Sequence, residues 1–143
     1  HAQPAPPARA GLVGDLVHEI AQAETKLLAL ARAMPDAAWD WRPGAGVRST
    51  REVLVHVAGE NYWAAARWGA RVQPGTGITG AARAEADAYE RRPTPSRAAA
   101  ESALARSFVL LREGLAALPE SALDRPTAYA RQSVAVRTAW VRT

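Results

Sequence analysis

The feature that most constrains this chain is a row of apolar residues near its start. Val13, Leu16, Ile20, Ala23, Leu27, Leu30 and Met34 follow one another at alternating steps of three and four. That spacing returns to one side of an α-helix turn after turn and makes a stripe that a helix must bury against other helices. A strand would need a period of two. Pro35 closes the row, because proline lacks an amide hydrogen and clashes with the preceding turn. Leu104, Phe108, Leu111, Leu115 and Leu118 repeat the pattern, and Pro119 ends it. Two such rows predict an all-α, up-and-down four-helix bundle.

The intervening sequence supplies the remaining elements. Asp36 to Gly44 is a connection, broken by Pro43 and two nearby glycines. Ser49 followed by Glu52 is a capping box, in which the hydroxyl and the carboxylate satisfy each other's free amide groups. It opens a second helix whose apolar face is read as Val53, Val57, Ala64 and Trp68, with Gly69 as its stop. Val72 to Gly80 is a loop, and Ala81 to Glu90 reads either as a short polar helix or as a mobile segment. Thr94-Pro95 marks the start of the next helix. Ser133 is placed to cap a last helix through Trp140, although Val134 and Val136 also alternate as in a strand. That helix is incomplete at Thr143 and much shorter than the first. Part of the apolar groove is then left open, and a homodimer covering it is expected.

Composition narrows the function classes. The 143 residues make one domain: a Pro/Ala leader over residues 1–10 and the bundle over 11–143. With 48% hydrophobic residues the chain is not disordered, and no apolar run approaches the ~20 residues of a membrane helix. The absence of cysteine excludes disulfides and thiolate chemistry. The net charge of +4 suggests nucleic acid, but the arginines are scattered and only Arg91-Arg92 are adjacent, so no nucleic-acid partner is expected. The leader suits cleavage of an export signal, which places the protein in the periplasm or outside the cell. A cloning remnant on a cytoplasmic protein is the alternative.

At Trp41-Arg42-Pro43, Ser49, His56-Val57-Ala58 and Asn61-Tyr62-Trp63 the chain resembles the DinB-like family of bacterial four-helix bundles. The likeness covers essentially everything after the leader. It implies a divalent metal (zinc, nickel, iron or manganese) held by three histidines, with thiol-dependent transferase or isomerase activity in some members and no known activity in many; for this chain it points to a metal-dependent hydrolase or thiol transferase. The family's histidine on the second helix corresponds to His56. Its other two ligands form a His-x-x-x-His pair on the fourth helix, and no residues here match them.

The candidate residues follow from these readings. His56 has Glu52 and Glu60 four residues to either side, on one helical stripe, as second ligand, imidazole-orienting acid or general base. The plainer reading is a histidine paired with acids on a partly exposed face. His18, between Asp15 and Glu19, falls on the outer face, and His1 stands at the chain start. Trp39, Trp41, Trp63, Trp68 and Trp140 are read as core and loop anchors rather than as the wall of a ligand pocket. Ser49 and Thr50 have no histidine within helical reach, so capping explains them better than nucleophilic catalysis. Gly75-Thr76-Gly77 lacks the context of a phosphate loop. One histidine with nearby carboxylates predicts weak metal binding or none. The sequence leaves two functions open: a metal-binding enzyme of this family, or a metal-free binding and assembly module.

Overall fold

The computed structural model describes residues 11–72, 74–80, 82–93, 96–129 and 132–135. Five helices form a bundle: α1 (Leu12–Ala33), α2 (Asp36–Trp39), α3 (Thr50–Arg67), α4 (Arg83–Glu90) and α5 (Arg97–Ala116). Helix α5 is the centre, with α1 and α3 packed on it, while α4 lies on α3. The expected row on α5 is buried throughout: Leu104, Phe108, Leu111 and Leu115, then Leu118 just beyond the helix. Towards one end it meets Ala31, Trp39, Leu54 and Val55, and towards the other Val13, Ala122 and Leu123.

The row on α1 is buried only in part. Ala23 and Leu30 are exposed, Leu30 to 56%, and Ala31 turns inward in its place. A 3.5-residue repeat drifts by about 20° per heptad on a helix of 3.6 residues per turn, so the inward stripe moves on by one residue along α1. The face of α3 also differs from the expected one. Val53 is 41% exposed, whereas Leu54, Val55, Ala58, Tyr62 and Ala65 are buried. Packing on α5 and α4 at once gives α3 two buried faces instead of one narrow stripe.

Polar side chains from distant segments close the helix ends. No side chain from α1's own N-terminus caps it, and Glu120 accepts the Val13 amide at 3.1 Å instead. At the other end the Arg97 guanidinium donates to the carbonyls of Ala31 (2.6 Å), Arg32 (3.1 Å) and Met34 (2.8 Å), which have lost their helical partners. Helix α5 starts at a different cap from the one expected. Ser96 Oγ accepts the Ala99 amide at 3.2 Å, and Thr94-Pro95 lies outside the described residues. Residues 83–90 are helical, and Glu85 accepts the amides of Thr79 and Gly80, tying the preceding loop to α4.

Ser133 does not start a helix. Pro126–Tyr129 (β1) and Gln132–Ala135 (β2) pair as an antiparallel hairpin with Thr127 opposite Val134. Val134 therefore lies in a strand, while Val136 lies outside the described residues. Residues 136–143, whose helical extent underlies the expected homodimer, lie outside the described residues, as does the leader. No helix among the described residues is long and apolar enough to cross a membrane.

Candidate metal centre

The capping box sets the position of His56. Ser49 is buried, its hydroxyl accepts the Glu52 amide, and its own amide donates to Glu52 Oε2 at 2.8 Å. Arg42 of the Trp-Arg-Pro loop holds the same carboxylate and donates to the Val47 carbonyl at 3.0 Å. The Ser49 amide, helped by Arg42, keeps the Glu52 carboxyl below its ordinary range. Glu52 is thus engaged in starting α3 and is not part of the group around His56. With the start fixed, the second turn presents His56, and Glu60 follows one turn later with Oε1 at 3.9 Å from His56 Nδ1.

The third member comes from α4. Gly59 makes it possible, because a Cβ there would stand 3.1 Å from Tyr89 Cδ1 and 3.4 Å from Glu90 Cγ. Without that side chain α4 comes close, Tyr62 and Tyr89 pack edge to face, and Glu90 Oε2 reaches to 2.8 Å from His56 Nδ1. His56, Glu60 and Glu90 each offer one donor atom, all within 4.8 Å of one another. Glu90 is the most enclosed of the three, its side chain being 15% exposed.

Two guanidinium groups border the cluster. Arg83 NH1 lies 2.5 Å from Glu60 Oε1 and its NH2 lies 3.6 Å from Glu90 Oε1, while its Nε donates to Asp87 at 2.9 Å. Arg48 donates to Glu90 Oε2 at 3.3 Å. The Arg48–Glu90 and Arg83–Asp87 contacts are hydrogen bonds, while Arg83 meets Glu60 and Glu90 as ion pairs. His56 Nδ1, Glu60 Oε1 and Glu90 Oε1 are all shielded from solvent, and none has a well-aligned hydrogen bond among the described residues. Shielded donor atoms left in that state are costly. A cation among them would take up these donor atoms in competition with Arg83. One imidazole nitrogen with carboxylate oxygens suits a first-row divalent metal such as zinc, manganese or iron. The residues present therefore fit such an ion.

Trp63 lies beside the cluster, its ring 5.3 Å from the Arg83 guanidinium carbon, and the other sequence candidates among the described residues stand apart. His18 is exposed, with Nε2 2.7 Å from the Gln22 side-chain nitrogen, and His1 lies outside the described residues. Trp39 is buried against Leu54 and Leu104, Trp68 packs on the Val13 and Leu115 group, and Trp41 is 62% exposed. They form no common wall, and Trp140 is outside the described residues. The Thr50 hydroxyl donates to the Ala38 carbonyl at 3.3 Å. Gly75-Thr76-Gly77 belongs to a tight turn in which Thr76 Oγ1 accepts the Ile78 amide at 3.1 Å. The resemblance named His56 and the helical spacing named Glu52 and Glu60, of which the structure brings His56 and Glu60 together with Glu90. Sequence reasoning missed Glu90, Arg83 and Gly59, since no helical period relates α4 to α3.

The sequence profile of the DinB superfamily matches residues 19–142. Comparison with curated proteins and with solved structures gives no match.

Proposed function

The chain belongs to the DinB superfamily, and from that premise we propose that it binds a divalent transition-metal ion through His56, Glu60 and Glu90. The observation that carries this reading is the set of three shielded donor atoms without well-aligned hydrogen bonds. When bound, the ion supplies a Lewis acid, and three protein donors leave room for a water or a substrate atom beside it. That is the requirement of a metal-dependent hydrolase or thiol transferase. The chain's own contribution is positional. The capping box fixes the turn that presents His56, Gly59 admits α4, and Arg48 holds Glu90 from outside.

The metal-free reading, a binding and assembly module, has one observation in its favour. Arg83 and Arg48 already neutralise the two carboxylates. Calorimetric titration of the metal-stripped protein with zinc chloride separates the two. The metal reading expects one zinc per chain, with binding lost in His56→Ala and in Glu90→Gln while circular dichroism shows each variant folded. No heat of binding in the unaltered protein would leave only the assembly module.

A further inference from the structure

Arg83 approaches one oxygen of each carboxylate in the cluster, Glu60 Oε1 and Glu90 Oε1, while Glu90 Oε2 is the oxygen nearest His56 Nδ1. The Arg83 NH1 and NH2 atoms lie 2.5 Å from Glu60 Oε1 and 3.6 Å from Glu90 Oε1. An arginine guanidinium and a metal ion cannot both sit against those oxygens, because two positive groups in contact repel strongly where water is scarce. Arg83 is shared among three acids. The third, Asp87, lies outside the cluster of donor atoms and accepts from its Nε at 2.9 Å. The Arg83 side chain is 46% exposed, so a swing about that bond carries the guanidinium into solvent. The ring of Trp63 already lies 5.3 Å from the Arg83 guanidinium carbon, within cation–π range, with Arg67 over the same ring at 4.7 Å, so movement of Arg83 changes the surroundings of Trp63.

We propose that Arg83 is the resident counter-ion of this centre, and that a divalent metal enters by displacing its guanidinium from Glu60 and Glu90 while Asp87 keeps it tethered. The inference rests on the metal reading given above. It makes Arg83 a positioning residue that sets affinity. The protein carries its own competitor for the metal, so the two acidic side chains stay neutralised and the helices stay packed when no metal is bound. Removing the competitor leaves the same donor atoms with nothing to displace.

The test is calorimetric titration of the metal-stripped full chain with manganese(II), in parallel with Arg83→Gln and Arg83→Lys. Arg83→Gln replaces the guanidinium with a shorter, neutral amide and removes the charge. It is expected to bind manganese about tenfold more tightly or better, given the size of a contact between like charges at a partly shielded site. Arg83→Lys retains the positive charge and is expected to stay within about threefold of the unaltered protein. The steady-state fluorescence of Trp63, read with Trp39, Trp41, Trp68 and Trp140 each replaced by Phe, is expected to change on metal addition in the presence of Arg83 and much less in Arg83→Gln. Equal affinities for the unaltered protein and Arg83→Gln would overturn the role of Arg83 and leave the metal centre standing. A gain shared equally by Gln and Lys would also overturn it, since charge would then not be the cause. No binding by any of the three folded proteins would overturn the metal centre itself.

Discussion

Two charged contacts between helices in this protein look alike on paper and behave differently. Between α1 and α5, Glu24 meets Arg112, with side chains 13% and 23% exposed. Between α3 and α4, His56, Glu60 and Glu90 meet Arg83 and Arg48. The first is a one-to-one pair bonded directly. Burial nevertheless pushes the Glu24 carboxyl up, the attraction of Arg112 only partly offsetting it. Such a pair adds little beyond an apolar contact, but losing one partner is expensive. The second has a surplus of acceptor atoms, some shielded and poorly bonded. The difference teaches that burial of charge alone does not mark a site. What sets the second contact apart is an imidazole and two carboxylates whose donor atoms gather within 4.8 Å of one another.

Breaking the first contact gives the largest expected effect. Arg112→Ala leaves Glu24 half-buried and unpaired, and is expected to cost about 2–3 kcal/mol of stability, below the range for fully buried pairs. Metal binding should not change. Chemical denaturation with a parallel zinc titration checks both halves.

The second effect is smaller and lies on the α3 side. Ser49→Ala removes the cap that sets the position of His56 and should cost about 1 kcal/mol. Its partner Glu52 has its pKa lowered from the ordinary 4.5 in the folded protein. That contribution is therefore fully present above the unfolded-state pKa and is lost as pH falls through the lower folded value. Glu52→Gln should flatten this acid limb of the stability curve, as read from melting temperatures across the acid range.

The third effect is smallest in stability and most specific to the cluster. Gly59→Ala gains helix propensity of about 1 kcal/mol but pushes against Tyr89 and Glu90, so the net change is expected within about 1 kcal/mol. Glu90 should nevertheless be moved off, and zinc affinity should fall. Unchanged affinity would mean that close approach of α4 is not what builds the centre.

These contacts also explain how far the sequence could be read. The α5 row was legible because that helix is covered by neighbours on two sides, so every predicted position is buried. The α1 row was legible as a helix but not in its inward register, since the drift between repeat and helix pitch accumulates unseen along the chain. The capping box at Ser49 and Glu52 was legible because all its partners are local. Glu90 was not legible. Its relation to His56 depends on α4 being helical, on Glu85 fixing the loop, and on Gly59 admitting the close approach. The Arg97 cap on α1 was hidden for the same reason, since its partners are more than sixty residues away. The hairpin at 126–135 shows the converse: the capping signal at Ser133 is local, yet Ser133 lies in a strand.

The central claim, that a divalent metal is held by His56, Glu60 and Glu90, is tested most directly by anomalous diffraction from crystals soaked in zinc. The account predicts one strong peak at about 2.0–2.2 Å from His56 Nδ1 and from an oxygen of each carboxylate, the usual range for zinc bonds. The Arg83 guanidinium should be turned away from Glu60 and Glu90 in the same crystals. Zinc peaks only at the exposed His18, or fully ordered crystals with no peak at the cluster, would contradict it.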